Sequence, residues 1–441
     1  MKRNKKHENR VKKLIVACGL CAIILTVSTY AWFIGMKTVN VSAFDVEIAA
    51  IDGLELSLTG GANNDWATTV TINQENHDKL SGYGKDEGNT NSWGGAGLIP
   101  MSTVGIVNTD SSRLTMYEKG SFTATPGGYR IMASEVLNDE NYDGEANGYV
   151  AFDLFIRNKS GNMYYDSVSK DNEEAIYLTP ESTVKVVAGG DNEENSGIEN
   201  SVRVAFAQIG RVKVGTAAET VQKITCADDE SKGILEICTD RVAQIWEPND
   251  TKHVQNAINW YDESCLKRTA ADLTLKGSYS GTCGAVVDGT AVPTYAVSGV
   301  IKETDQVDAY DGAEFNGWTN STITLLETET TDAIFGKAAP GKLLKYPTFT
   351  DSMKHLEGTA RPEFMLLAPN SITKVRVYVY LEGQDVDNYD FASLGKKISV
   401  AFGFTKERFY GEDIDYNKDE PHGPTLPNGL QERPATQTVT P

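Results

Sequence analysis

Oxygen-bearing side chains recur at alternate positions through Asp139, Asn141, Asp143, Glu145 and Asn147, with Gly144 in sixth place. That spacing is the first half of a calcium loop, in which carboxylate and amide oxygens converge on a hard cation and glycine makes the sharp turn. The twelfth position, where a bidentate carboxylate would sit, is Val150. The segment is a calcium candidate with an incomplete ligand set, and its plain alternative is a solvated acidic turn. Asp413, Asp415, Asn417 and Asp419 repeat the alternation without the glycine. Glu382, Asp385 and Asp387 end a strongly alternating strand, either as metal or partner ligands or as solvated carboxylates at a strand end. No other cofactor is indicated.

Catalytic chemistry finds little purchase. The five histidines are scattered, with no triad spacing, no metal cluster and no HExxH. Paired carboxylates for glycoside hydrolysis need an apolar cleft that raises one of them, and in so acidic a chain any two are a chance match. The chain is therefore expected not to be an enzyme. Trp66, Trp93 and Trp318 lie among Gly, Asn and Asp, as sugar-stacking loop aromatics do, whereas Trp246 and Trp260 adjoin Ile245 and Ile258 and are expected in the core.

Six cysteines divide into two groups. Cys18 and Cys21 sit in an apolar run; Cys226, Cys238, Cys265 and Cys283 are an even set that suits an oxidising compartment. Four cysteines allow three pairings. The local one, Cys226 with Cys238 and Cys265 with Cys283, is expected because Ile224–Cys226 and Leu235–Cys238 flank Ser231–Gly233 as a hairpin tied across its strands would. Free buried thiols are the alternative. Zinc is disfavoured, since none of these four cysteines is spaced CxxC and only His253 lies between Cys226 and Cys283.

The elements that must carry these residues begin with a basic leader. Lys2, Arg3, Lys5, Lys6, Arg10, Lys12 and Lys13 face the single acid Glu8, and residues 14–36 that follow are uncharged and mostly apolar. A membrane-spanning helix needs roughly 20 such residues. A secretory signal has the same order of regions, and Thr29-Tyr30-Ala31 offers a cleavage site after Ala31, with Trp32 as the new first residue. Cleaved signal and retained single membrane helix both stay open. Either way the bulk of the chain is expected outside the membrane, extracellular or on the cell surface. The whole chain carries 41 Lys and Arg against 61 Asp and Glu, a formal charge of −20; residues 1–31 hold seven of the bases and one acid, so without them it is −26. Such a surface repels phosphate backbones, which excludes nucleic acid as a partner.

Beyond the leader the pattern is β. Val39 and Val41 alternate on one parity and Phe44, Val46 and Ile48 on the other, which indicates a bulge or a sheet crossing at Ala43-Phe44. Leu54–Leu58 follows. In Tyr149–Arg157, Val150, Phe152, Leu154 and Ile156 share one face and Asp153 and Arg157 the other, the alternation of a half-buried strand. Further strands are expected at 175–178, 183–187, 202–206, 235–242, 372–381 and 398–404. One short helix, capped by Asp250-Thr251, would align Val254, Ala257, Ile258 and Tyr261. Short strands with Gly- and Asn-rich turns give an all-β sandwich. Its core is expected from 37–215 and 360–410, with a cysteine-bearing insertion at 216–359, an N-terminal apolar helix and a flexible tail at 411–441.

Ser28-Thr29-Tyr30-Ala31-Trp32-Phe33, followed by the alternating strand Val39–Ile48 and then Leu54–Leu58, resembles the exported TasA/camelysin-type surface proteins of Gram-positive bacteria. The resemblance covers about 30 residues closely. It implies a jelly-roll-like β-sandwich, cleavage by a signal peptidase, and matrix fibres in which one subunit's N-terminal strand completes the next subunit's sheet. Val39, Val41, Phe44, Val46 and Ile48 would be the donated side chains. Camelysins have been classed as metallopeptidases, and without HExxH no such activity is carried over. The first functional reading is thus a structural surface or biofilm-matrix protein that associates with itself or with other surface proteins. The second is an adhesin or glycan-binding module using Trp66, Trp93 and Trp318. The third, a secreted hydrolase, has only abundant carboxylates behind it.

Overall fold

Alternating apolar residues give each long strand one face that must leave water, and two sheets satisfy this by packing those faces together. The computed structural model describes residues 44–73 except 51, 98–119, short strands between 123 and 136, 148–186, 197–262, parts of 285–300, 343–345, 349–388 except 357 and 384, and 398–406. With strands numbered in chain order, the smaller sheet runs β20 (Met365–Leu367), β12 (Glu174–Leu178), β22 (Ile398–Thr405), β1 (Phe44–Ala50), β3 (Thr69–Ile72), and β13 (Thr183–Val186) also pairs with β22. The larger runs β10 (Ala133–Glu135), β7 (Tyr117–Lys119), β4 (Pro100–Ser102), β21 (Ser371–Glu382), β14 (Val202–Lys213), β16 (Gln244–Glu247), β19 (Phe349–Thr350). Onto it β11 (Val150–Asn158) pairs with β21, β2 (Leu54–Ser57) with β11, and β15 (Leu235–Glu236) with β14. Three small pairs complete the described strands: β5 (Val107–Asn108) with β6 (Arg113–Leu114), β8 (Thr123–Thr125) with β9 (Gly128–Arg130), and β17 (Tyr295–Val297) with β18 (Leu343–Lys345). The all-β sandwich read from the sequence is what forms.

Between the sheets, Val46 and Ile48 of β1, Ile176 and Leu178 of β12, and Val400 and Phe404 of β22 meet Phe152 and Leu154 of β11, Val204 and Phe206 of β14, and Val375 and Val377 of β21. Phe206 is the pivot. Its ring meets Phe364, Phe402 and Phe404 edge-on at centroid distances of 4.8, 5.0 and 5.8 Å, so one side chain of the larger sheet holds two of the smaller.

The outer face of the larger sheet departs from the expectation of a half-buried strand. β11 and β21 are buried along their whole length. A covering layer that includes Val107, Leu114, Ile224 and Ile234 packs, with Met101 and Ile245 of the sheet itself, against Ala151, Phe155, Ala205, Ile209, Tyr378 and Tyr380. Asp153, expected on the solvent side, is 1% exposed. It lies directly across from Arg376 in the ladder, receives Arg376 Nε on Oδ1 at 2.8 Å, and has Lys374 Nζ 2.9 Å from Oδ2. Burial works to raise the Asp153 carboxyl, but Arg376 and Lys374 outweigh it and hold the group below the usual carboxylate range. Arg376 Nη1 also donates to the Ser112 carbonyl at 2.7 Å, tying the layer to the sheet. Arg157, likewise expected in water, is buried against Glu55 and stacks 4.4 Å from the Trp66 ring centroid.

Several boundaries also move. Within 216–359, expected as an insertion, β15 and β16 pair with β14 and β19 lies parallel to β16, so these parts belong to the main sheet. Gly210 of β14 lets this layer approach, because a Cβ there would lie 2.8 Å from Ile224 Cγ2 and 3.0 Å from the Leu235 carbonyl oxygen. The strand expected at 235–242 is reduced to Leu235–Glu236. The helix spans Gln255–Tyr261 and begins after Val254 with no side-chain cap, rather than being capped by Asp250-Thr251. The sheet crossing that is described falls at Asp52-Gly53, both at positive φ (63° and 79°), where β1 of one sheet hands over to β2 of the other. Ala43 lies outside the described residues.

Candidate functional site

β1 is the element on which the functional expectation rests. It lies inside the smaller sheet, parallel to β22 over its whole length from Phe44 opposite Ile398 to Ala50 opposite Phe404, and antiparallel to β3 from Val46 opposite Ile72 to Ala49 opposite Thr69. Val46 and Ile48 are buried in the core with Ala50, while Glu47 points to solvent. Phe44 holds its place in the ladder; Val39 and Val41 lie outside the described residues. The strand thus fills a slot lined by main-chain groups on both flanks and by pockets for alternate side chains, the arrangement that strand addition uses. In this chain its own β1 occupies the slot. The exit from β1 is pinned by Asp52, whose Oδ2 accepts from Thr405 Oγ1 at 2.5 Å and from the Lys406 amide at 3.2 Å.

Glu382, Asp385 and Asp387 are brought together, and the reading of solvated strand-end carboxylates is corrected. Glu382 is 2% exposed and Asp387 1%. Arg203, buried at the start of β14, reaches Glu247 Oε1 at 2.5 Å and the Asp385 carboxylate with the same nitrogen. Burial opposes the Arg203 charge, yet Glu247, Asp385 and Glu382 outweigh it and raise its proton affinity above the ordinary value. Burial and the nearby Asp387 carboxylate raise Asp385, against the pull of Arg203. His253 Nδ1 lies 2.8 Å from Asp387 Oδ2, and Nε2 lies 3.0 Å from the Thr290 carbonyl oxygen. A carbonyl only accepts, so Nε2 carries hydrogen, and a second proton on Nδ1 makes the bond to Asp387 charge-assisted. Burial works to lower His253, but Asp387 and the Thr290 carbonyl outweigh it and raise the imidazole above its ordinary value.

With both ring nitrogens engaged, His253 serves as a tie between three segments, 248–254, 285–292 and 382–388. The His253 amide donates to Asp288 Oδ1 at 3.0 Å and the Val254 amide to Asp387 Oδ1 at 3.2 Å. Gly197, at φ 81°, is required here, since a Cβ would lie 2.6 Å from Val254 Cγ2 and 3.1 Å from Asp387 Oδ1. Among the described residues no group of three or more His, Cys, Asp or Glu side chains is arranged to hold a metal ion, and among these carboxylates positive charge comes from Arg203 beside Asp385 and His253 beside Asp387. Sequence reasoning missed Arg203 and Glu247, because they lie about 180 and 140 residues before Asp385.

Cys226 and Cys238 form a disulfide with a Cα–Cα distance of 5.8 Å. The intervening turn closes between Asp229 and Ile234, but Leu235–Glu236 then pairs with β14 and not with 224–226. Trp246 is fully buried as expected, whereas Trp260 is 39% exposed rather than in the core. Trp66 donates from Nε1 to the Gly61 carbonyl at 3.2 Å and has Arg157 over its ring, which occupies one face of the aromatic that sugar stacking would use. Cys265, Cys283, Trp93, Trp318, the calcium candidate Asp139, Asn141, Asp143, Glu145 and Asn147, the repeat at 413–419 and the cleavage site Ala31-Trp32 lie outside the described residues. Among the described residues no helix is long and apolar enough to cross a membrane, and Leu14–Met36 is not among them. No protein-family model, curated protein or solved structure matches this chain.

Proposed function

We propose that this chain is an exported, non-enzymatic cell-surface or matrix protein on a jelly-roll-like sandwich, and that copies associate by exchanging the N-terminal strand. The observation that carries the reading is the position of β1, an N-terminal strand held between β22 and β3 in the interior of a sheet. Such a strand departs through one corner, Asp52-Gly53, without unthreading any other strand, and leaves a slot that the same strand of another copy fits by main-chain hydrogen bonds and by Val46 and Ile48. The acidic composition and the Cys226–Cys238 bridge support work outside the cell.

Glu47 lies opposite Thr71 across β1 and β3. Copies carrying Glu47→Cys are mixed with copies carrying Thr71→Cys, and the linked peptides are mapped by mass. A 47–71 disulfide between the two kinds of copy, with filaments in electron micrographs, is the expected result. A bond that forms only when both cysteines share one chain overturns strand exchange. N-terminal sequencing of native extracellular material is expected to begin at Trp32, and finding the chain in the cytosol with its leader intact overturns export.

A further inference from the structure

At one end of the sandwich, three residues from three strand ends meet around a single carboxylate oxygen. Asn158 ends β11 and is fully buried, Glu174 begins β12, and Lys406 follows β22. Lys406 Nζ lies 2.8 Å from Asn158 Oδ1 and 3.0 Å from Glu174 Oε2. Asn158 Nδ2 donates to that same Glu174 Oε2 at 2.6 Å and to the Ala368 carbonyl at 3.2 Å. The Ser160 amide donates to Asn158 Oδ1 at 3.1 Å, and the Ser160 hydroxyl lies 2.8 Å from that oxygen and also contacts Glu174 Oε2. A primary amine, a carboxamide and a carboxylate that touches both nitrogens are the full set of parts for amide exchange.

We propose that Lys406 and Asn158 become joined by an intramolecular amide bond, with Glu174 relaying the protons. The Glu174 carboxylate takes a proton from the Lys406 ammonium, and the freed amine adds to Cγ of Asn158. Negative charge gathers on Oδ1, which faces the Ser160 N–H, a donor placed as an oxyanion hole requires. Glu174 then passes that proton to Nδ2, the Cγ–Nδ2 bond breaks, and Glu174 takes a second proton from the adduct nitrogen and yields it to the departing ammonia, so that the Cγ–Nζ bond remains as a neutral amide. Of the three Nζ protons one stays on the new amide, and two leave with Nδ2 as ammonium, so no oxidant or further reactant enters. Lys406 side-chain exposure is 17% and that of Glu174 36%, so Glu174 starts in its ionised form, as the first step needs. Hydrogen bonds from Ser160, Asn158 and Lys406 outweigh the effect of burial and favour that form.

A second close pair, with a buried amine, differs in the part that matters. Lys374 lies as near to Asp153, but its acceptor is a carboxylate that Arg376 keeps ionised, and an ionised carboxylate resists attack by an amine. The Lys406–Asn158 bond would join the smaller sheet, through the end of β22, to β11 of the larger, across 248 residues of sequence. It does not depend on strand exchange.

The full folded chain, its disulfides reduced, is weighed intact and then digested. The expected mass is one ammonia below that of the sequence, with a branched peptide joining residues 158 and 406. Lys406→Arg, which keeps the charge, is expected at full mass, and Glu174→Gln is expected to slow bond formation by at least about 10²-fold while circular dichroism stays unchanged. If Glu174→Gln fails to fold, Lys406→Arg together with the wild-type peptide map still decides the matter. A wild-type chain that keeps an intact Asn158 amide and a freely acylated Lys406 after prolonged incubation overturns the proposal. So does loss of ammonia that leaves Lys406 unmodified.

Discussion

Replacing Asp153 by Asn tests whether the outer face of the larger sheet is buried. The change keeps shape and removes one charge, the buried carboxylate that Arg376 Nε and Lys374 Nζ both reach. Breaking a buried ion network in this way costs about 3–5 kcal/mol, because the remaining charges stay desolvated. The same change on a strand face open to water would cost roughly 0–1 kcal/mol. Urea unfolding followed by tryptophan fluorescence separates the two, provided the slope with denaturant is unchanged. A triple variant, Asp153→Leu with Lys374→Met and Arg376→Leu, should recover most of the loss, since apolar groups of similar volume tolerate burial. The pH dependence has a defined sign. The folded-state carboxyl is depressed, so its contribution is present above the unfolded value near 3.9 and is lost as pH falls through the folded one. Asp153→Asn should therefore flatten the acid limb of the stability profile. A loss below about 1 kcal/mol would refute the covering layer over this face.

Phe206→Ala should cost about 3–5 kcal/mol by the same assay, because the ring contacts Phe402 and Phe404 across the core as well as Phe364. The His253 imidazole is raised in the folded state, so its contribution is full below the unfolded value of about 6.5 and fades as pH rises through the folded one. His253→Gln is expected to remove that alkaline decline, as seen in melting temperature measured across the neutral range. Gly197→Ala should destabilise by about 1–3 kcal/mol, because the added methyl meets Val254 and the backbone sits at positive φ. Cys226→Ser should cost about 3 kcal/mol for a bridge spanning 12 residues, read as a lower denaturation midpoint under non-reducing conditions.

Much of the core was legible from local pattern. The two-residue period in Val150–Ile156 and in Val375–Leu381 names the inward residues of β11 and β21, and the structure places these residues between the sheets. The same period hid the outer layer, because Asp153, Arg157, Lys374 and Arg376 read as solvent residues by type. Only their pairing across the ladder, about 220 residues apart for Asp153 and Arg376, lets them be buried. Glu382, Asp385 and Asp387 misled for the same reason. An acid is read as exposed until its cation is found, and Arg203 and His253 lie on other strands and loops. The helix at Gln255–Tyr261 was visible through Ala257 and Tyr261, whereas its start was not, since Asp250 is engaged with Ser352.

Sequence alone settled the class of structure and the acidic charge, because alternation and composition are properties of the chain itself. It also pointed to Cys226 and Cys238 as neighbours, since a short turn leaves them little room to part. Which charges are buried, and the meeting of Lys406 with Asn158 and Glu174, were decided only by the packing of strands distant in sequence. Desolvation depends on what covers a residue, and nothing local records that.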